Sequence, residues 1–593
     1  MTIFNLLTMV GGLALFLYGM KAMGDSLVLL SGGKLERILE KLTKTRLLAL
    51  LLGALVTAVI QSSSATTVMV VGFVNSAIMN LQQAAGVIMG ANIGTTITSW
   101  LLSLTGIDGS NVFLRLLKPS SFTPVLGAVG IILIMTQKDG SKKKTVGEIL
   151  LGFTILMFGM ETMSSAVKPL ADNEAFTGIL TAFSNPILGM LAGALLTAVI
   201  QSSSASVGIL QALCMTGAVT FGSALPIIMG QNIGTCVTAL ISSAGASKNA
   251  RRASLIHLYF NLIGTVLFMS VFYLLNAFIH FDFLETAAGA AGIAVIHSLF
   301  NIGCAAVLFP FANQLVRLAT LTVPDKPDEV PAADERPAVL KALDERFLDR
   351  PSFAMQLCKR AVDDMAASSC RALHLAMSVF DDYSDATAEE VIDLEQRTDL
   401  FEDVLGSYLV KLSGRDLNDD DSRLLSVLLH SISDFERIGD HAINIVESAQ
   451  DMKKRHLALT QEGHDELMAF GRAVEDIVDI TTEAFLADDA VRARKVEPLE
   501  EVVDTLSTEM KQRHILRLRR NVCSLEAGLI LEDIITIYER VSDHCSNVAV
   551  SLIEIRQNEF DPHAYLNLRV KGSDPWFQKE YQRLKDVYKL PQW

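Results

Sequence analysis

Two identical stretches, TAVIQSSSA at 57–65 and at 197–205, each place one amide and three hydroxyls inside a long apolar run. Serine is a strong helix N-cap. Ser62, Ser63 and Ser64, and Ser202, Ser203 and Ser204, can therefore each begin a half-helix, whose partly positive N-terminal end attracts an anion. Gln61 and Gln201 add an amide donor and a carbonyl acceptor. A helix broken within a membrane is tolerated only where the freed backbone groups line a polar cavity or are buried in protein. Freed carbonyls and Ser/Thr hydroxyls also suit sodium, a hard cation that prefers oxygen. The sodium-coordinating set expected here is Thr66, Asn92, Thr95, Thr96, Ser206, Asn232 and Thr235. Most of it lies in GANIGTT and GQNIGTC, which start at Gly90 and Gln231's neighbour Gly230 and are expected to be Gly-broken segments. The apolar runs hold almost no Lys or Arg, so an anion there would depend on helix ends, hydroxyls and co-bound cations. Small polar residues also simply pack membrane helices closely; two copies at one fixed offset, each joined to an NIGT segment, favour a site.

These residues need spans to carry them. Runs long enough to cross a bilayer, roughly 20 apolar residues, occur near 3–24, 84–105, 146–167, 225–245, 255–278 and 289–319, with a shorter one at 122–136. The runs 47–80 and 186–220, each with QSSS at its centre, read as re-entrant hairpins. QSSS, G-x-N-I-G-T and Gly19-Met20/Gly159-Met160 all recur at an offset of 140. Repeat 1 therefore covers about 1–140 and repeat 2 about 141–280, with an extra span at 289–319. Lys34, Arg37, Lys41, Lys44 and Arg46 have no basic counterparts in 174–186, where Glu174 is the one charge; Lys138 and Lys142–Lys144 have none in 278–284. Basic residues mark the cytoplasmic side, so the repeats are expected to be inverted. Seven crossings then put the N-terminus outside and the hydrophilic half in the cytoplasm.

The 593 residues are 50% hydrophobic yet include 65 acidic and 50 basic residues, which separates an apolar membrane domain at 1–320 from a charged half. Residues 321–344, with four prolines from Pro324 to Pro337, read as a solvated linker. Seven scattered cysteines without CxxC imply neither a disulfide framework nor a zinc site. The first basic residue, Lys21, follows the first apolar run, so no cleavable signal is evident. A net charge of −15 without a basic tract argues against nucleic acid. No P-loop or nucleophile–base pair marks an enzyme.

Residues 345–590 show apolar spacing of three and four, the period of amphipathic helices. Glu436–Asn444 (ERIGDHAIN) matches Glu539–Asn547 (ERVSDHCSN), and Glu395-x-x-x-Asp399 matches Glu500-x-x-x-Asp504. Two tandem three-helix bundles explain both pairs. Carboxylates four apart share a helix face and repel. A metal turns that repulsion into attraction, and carboxylates with a nearby His suit iron, manganese or zinc.

With its paired QSSS and G-x-N-I-G-T motifs and His257-Leu-Tyr-Phe-Asn261, the first half resembles the sodium-dependent phosphate cotransporter family, the bacterial relatives of the type II cotransporters. The resemblance implies inorganic phosphate moved with sodium, and Gln61, Ser62–Ser64, Gln201 and Ser202–Ser204 as the phosphate-binding residues. Departures leave sodium stoichiometry open: Gln231 stands opposite Ala91, Cys236 opposite Thr96, and His257 opposite Leu117. His257 and His297 are read as packed helix residues rather than proton carriers. The second half resembles the PhoU family of phosphate-response regulators. That likeness implies a helical regulatory domain with metal residues Glu395, Asp399, Glu436, Asp440, Glu500, Asp504, Glu539 and Asp543, and a homodimer or regulatory protein partner through it. The expectation is an all-α chain: a membrane bundle of inverted repeats and two re-entrant hairpins, then a soluble PhoU-like domain. It would be a sodium-coupled phosphate transporter of the bacterial inner membrane, working by alternating access. The alternatives are a phosphate exporter or other oxyanion carrier, and a membrane-anchored metal-dependent sensor without transport.

Overall fold

A computed structural model of the chain describes residues 3–31, 35, 38–39, 43, 45–106, 118–138, 141–170, 182–324, 336–380, 383–557 and 575–592. Lys34, Arg37, Lys41, Lys44, Leu117, Glu174 and linker positions 325–335, used in the charge and linker readings, lie outside the described residues. Apart from one isolated bridge between Thr220 and Ala287, the regular structure among the described residues is helical. The chain is all-α and divides into two compact units.

The first unit comprises Met1–Arg336, Asp344–Phe353 and Leu417–Asp419. Its helices are α1 (Ile3–Ser31), α2 (Arg46–Ile60), α3 (Ser63–Asn75), α4 (Leu81–Ser103), α5 (Pro119–Thr136), α6 (Lys142–Val167), α7 (Pro186–Ile200), α8 (Ser203–Cys214), α9 (Phe221–Ser242), α10 (Lys248–Ile279), α11 (Ala290–Leu308) and α12 (Ala312–Thr322). Seven spans are long and apolar enough to cross a membrane: α1, α4, α5, α6, α9, α10 and the combined run Ala290–Thr322. The paired helices α2–α3 and α7–α8 are each too short to cross alone. The 140-residue offset reappears as structure: α2 and α7, α3 and α8, and α4 and α9 all start at matched positions.

The glycines of the NIGT segments do not break their helices. Both α4 and α9 run unbroken through them, which corrects the expectation of a second interrupted segment. Their role is close approach. A Cβ on Gly90 would collide with the Leu50 carbonyl, and one on Gly230 with the Met190 carbonyl; Gly94 and Gly234 meet Ala54 and Ala194 in the same way. Helices α2 and α7 thus lie with their backbones directly against α4 and α9.

The matched helices α1 and α6 also touch through glycine. Gly12 meets Met163, Gly19 meets Leu156, Phe16 meets Gly159, and Met23 meets Gly152. Partner numbers fall as chain numbers rise, so the two helices run antiparallel. The contacts are reciprocal: Gly19 against Leu156 and Phe16 against Gly159 exchange places under the offset, the pattern of a two-fold relation.

Residues 344–353, which composition assigns to the linker and the charged half, belong to this first unit. Phe347 is fully buried, its ring 5.4 Å from Phe73 and 5.1 Å from Phe353. Gly72 makes the seat, because a Cβ there would fall 2.8 Å from the Phe347 ring. Asn75 donates from Nδ2 to Asp344 at 2.6 Å and accepts from the Ser247 backbone N–H at 2.9 Å. The far end of α3 thereby holds the segment.

The second unit comprises Pro337–Leu343, Ala354–Asp416 and Asp420–Trp593. Its helices are α13 (Pro351–Ser378), α14 (Asp385–Ser413), α15 (Asp419–Arg455), α16 (Gln461–Ala487), α17 (Val496–Arg519), α18 (Leu525–Gln557) and α19 (Pro575–Val587), the first and third beginning with residues of the first unit. Arg371 and Arg397 pair with Glu390 and Asp364 across α13 and α14, and Gly439 of α15 faces Thr398 of α14. Helices α16, α17 and α18 pack mutually as a second bundle, with α19 against α17. Phe435 of α15 meets Phe485 of α16 edge to face at 5.0 Å, which joins the bundles.

Candidate functional site

Both serine triplets interrupt a helix. Gln61 (φ 60°, ψ 24°) and Gln201 (φ 59°, ψ 23°) end α2 and α7 in the left-handed conformation, which costs an L-residue roughly 1–2 kcal/mol. The chain then extends at Ser62 (φ −146°) and Ser202 (φ −143°), whose hydroxyls accept the backbone N–H of Ala65 and Ala205, each at 3.2 Å. These are N-caps, and α3 and α8 begin at Ser63 and Ser203.

One cavity of about 230 Å³ is lined by both QSSS quartets, Gln61–Ser64 and Gln201–Ser204. That is several times the ~30 Å³ share of a water molecule. All eight residues expected to bind phosphate stand on its wall. Three charged side chains join them: Lys21 and Asp25 of α1, and Arg350 of the segment seated on α3. The repeats therefore contribute two capped helix starts to one polar space. Gln61 is fixed within it. Its Nε2 donates to the Ala58 carbonyl, and its Oε1 accepts the Thr98 hydroxyl at 2.8 Å.

The residues expected to coordinate sodium lie elsewhere. Thr66, Asn92, Thr95, Thr96, Ser206, Asn232 and Thr235 are all buried and none lines the cavity. Asn92, Thr95, Asn232 and Thr235 donate to carbonyls one turn back in their own helices, at 2.9–3.0 Å, and Thr96 donates to Ile93 at 2.7 Å. Thr66 differs from its match. It accepts the Thr57 hydroxyl at 3.0 Å and donates to the Ser62 carbonyl at 3.1 Å. In repeat 2 the Thr197 and Ser206 hydroxyls and the Gln231 Oε1 are buried with no hydrogen-bond partner among the described residues. Gln231 Nε2 donates to the Ser206 backbone at 3.0 Å, which keeps this group together. His297 is buried and shares a 2.7 Å hydrogen bond with Ser99, whereas His257 is buried with its Nδ1 lacking a hydrogen-bond partner among the described residues.

Sequence reasoning missed Arg350, Lys21, Asp25 and Thr98. Lys21 and Asp25 carry a visible signal, two charges one helical turn apart at the end of an apolar run. Arg350 carries none, being one of many charges after the linker.

Comparison with known proteins agrees with this anatomy. The Na+/Pi-cotransporter family model matches residues 15–165 and 155–289, and the PhoU domain model matches 362–449 and 467–552. The chain joins a Na+/Pi-cotransporter domain to two PhoU domains. It is 23% identical to a candidate inorganic phosphate export protein, YjbB of Escherichia coli (strain K12), over 93% of this chain and 98% of that one. It is 28% identical to the uncharacterized YqeW of Bacillus subtilis (strain 168), over 52% of this chain and 96% of that one. Human sodium-dependent phosphate transport protein 2B shares 32% identity over 22% of each chain. The chain thus belongs with transporters and is not an enzyme, and it is a multi-pass membrane protein.

In the second PhoU domain, Glu500, Asp504 and Asp543 bring carboxylate oxygens within 4.8 Å of one another. Burial foremost, then Asp504 and other neighbouring carboxylates, pushes Glu500 up to about 8; burial and then Asp543 push Asp504 up to about 6. One oxygen of Asp504 is buried with no hydrogen-bond partner among the described residues. Three converging, charge-frustrated carboxylates fit a divalent metal. Glu539 is engaged otherwise: Ser507 and Lys511 donate to it at 2.6 and 2.7 Å and, against its burial, hold its carboxyl low. In the first PhoU domain, burial followed by Asp440 raises Glu436 to about 7, and burial followed by Asp440 and Asp399 raises Glu395. Arg437 lies 3.6 Å from both Glu436 and Asp440. Among the described residues this quartet does not converge as the second set does.

Proposed function

We propose that the chain carries inorganic phosphate across the bacterial inner membrane, coupled to sodium, by alternating access between two inverted repeats. The observation that carries this reading is the single cavity lined by both QSSS quartets. Each quartet caps a half-helix whose N–H groups and partial positive charge suit an oxyanion. The antiparallel contact of α1 with α6 supports inversion, which supports a site between the repeats. The unpartnered oxygens of Thr197, Ser206 and Gln231 support a hard cation bound beside α8, since sodium would satisfy acceptors that the chain leaves open. The N-terminus would lie outside and the PhoU domains in the cytoplasm, following the basic residues of 138–144 and 248–252. There Glu500, Asp504 and Asp543 would hold iron, manganese or zinc, and the PhoU domains would regulate flux.

The test is uptake of radiolabelled phosphate into liposomes containing the purified full chain, under an inward sodium gradient and then a potassium gradient. Accumulation with sodium alone is the expected result; equal uptake in both overturns coupling. A second reading, net export, is favoured by the name of the relative that matches nearly end to end. Assays in intact cells and inverted vesicles separate the directions. Counter-flow with arsenate or sulfate tests the choice of oxyanion.

A further inference from the structure

Arg350 is a charged wall of the same cavity, yet it comes from outside the two repeats. We infer that Arg350 is a phosphate-binding residue delivered to the transport cavity by the segment 344–353. The inference rests on the phosphate reading above.

Charge balance is the first argument. The two half-helix ends offer roughly +0.5 each. The charged side chains on the wall, Lys21, Asp25 and Arg350, sum to one net positive charge. The repeats alone thus approach the charge of a monoanion, and Arg350 brings the cavity close to that of a phosphate dianion. Geometry is the second argument. A guanidinium presents planar paired donors that match two oxygens of a tetrahedral oxyanion, and it stays charged at any physiological pH. Hydroxyls and helix ends offer single donors.

Placement is the third argument. Arg350 does not depend on a loose tether. Its backbone N–H donates to the Phe347 carbonyl at 2.8 Å, and its own carbonyl accepts from Phe353 at 3.0 Å. Phe347 and Phe353 form a three-ring cluster with Phe73, in the seat that Gly72 leaves open. Asp344 caps the turn by accepting the Arg346 N–H at 2.9 Å and is itself held by Asn75. Asn418 donates to Ser352 at 3.2 Å on the other side. Phe73, Gly72 and Asn75 all belong to α3, whose opposite end starts at Ser63. One half-helix therefore carries a serine cap at one end and the anchor of Arg350 at the other, so the two groups keep a fixed spacing.

Two measurements on the full chain test this. Phosphate flux into proteoliposomes is measured against phosphate concentration for wild type, R350Q and R350K. Loss of one charge-assisted contact predicts a rise of at least about tenfold in half-saturating phosphate for R350Q. R350K, which keeps the charge but loses the fork, falls between. The maximal rate of folded R350Q should stay near wild type, as expected when ground-state binding is lost. The second measurement needs no variant: wild-type protein is treated with phenylglyoxal, an arginine reagent, and modification at Arg350 is read by peptide mass spectrometry. Phosphate should protect Arg350 with half-protection near the half-saturating concentration for flux. Normal wild-type flux with unprotected Arg350, or R350Q within twofold of wild type, overturns the inference and leaves the phosphate reading standing. Absence of both flux and protection in the wild type overturns both.

Discussion

Thr98 donates its hydroxyl to the side-chain carbonyl of Gln61 at 2.8 Å, while its match in repeat 2, Thr238, has a buried hydroxyl with no partner among the described residues. The two helix breaks share a backbone and differ in how their glutamines are held. Removing the Thr98 bond frees an amide on the cavity wall. Thr98→Val is expected to raise half-saturating phosphate roughly fivefold, the equivalent of about 1 kcal/mol for one buried hydrogen bond. Thr238→Val should change it by less than twofold. Equal effects of the two variants would mean that the asymmetry has no bearing on binding.

The serines themselves make a direct test. Ser63→Ala and Ser203→Ala each remove a hydroxyl from the cavity wall and keep the caps at Ser62 and Ser202. Sodium-driven phosphate flux should fall in both while thermal stability in detergent stays near wild type. Untouched flux in both would show that the site is misassigned.

Gly90 and Gly230 should tolerate no side chain. Alanine at either position meets a backbone carbonyl of the facing helix, so relief requires parting α2 from α4 or α7 from α9. Overpacking of this kind typically costs 1–3 kcal/mol. Gly11→Ala is the control, because nothing lies within 4 Å of a Cβ there. Fluorescence-detected size exclusion after heating should show a lower midpoint for G90A and G230A than for G11A. Indistinguishable midpoints would contradict the close approach.

Glu500 predicts a pH dependence. Burial and neighbouring carboxylates raise it to about 8, so the folded chain holds this proton more tightly than the unfolded chain. The contribution to stability is full below the unfolded carboxylate range and is lost as pH rises toward 8. The stability of metal-free wild type relative to E500Q should therefore fall between about pH 5 and pH 8. His441, lowered to about 4 by burial and then by His544 and nearby arginines, works in the opposite direction in both proteins and cancels in the difference. Manganese needs the deprotonated carboxylates, so it should stabilise wild type more at high pH than at low pH. Calorimetry with EDTA or manganese reads both effects. A flat difference between wild type and E500Q would count against the cluster.

The sequence made some of this legible and concealed the rest for physical reasons. The breaks at Gln61–Ser62 and Gln201–Ser202 were readable because serine capping is local and the motif occurs twice. The seven spans and the helical PhoU domains follow from periodicity and length, which are also local. The NIGT glycines were misread because a glycine that breaks a helix and one that admits a neighbouring backbone look alike until the neighbour is known. Asn92, Thr95, Asn232 and Thr235 donate back to carbonyls of their own helices, which leaves their side-chain oxygens as acceptors. Thr98 and Arg350 were invisible because their partners are distant: Thr98 lies 37 residues from Gln61, and Arg350 is held by a helix at 63–75.

Gln61 and Gln201 have a consequence for how far the molecule can be improved as an object. A chain selected only to stay folded would place glycine at both left-handed positions, where the backbone torsion is free of penalty. Q201G should therefore yield a hardier but less competent molecule, a trade between durability and work, whereas Q61G also forfeits the hydrogen bonds that Gln61 makes with Ala58 and Thr98. Generic stabilisation strategies that score backbone comfort alone would select those two replacements early and disable the protein by doing so.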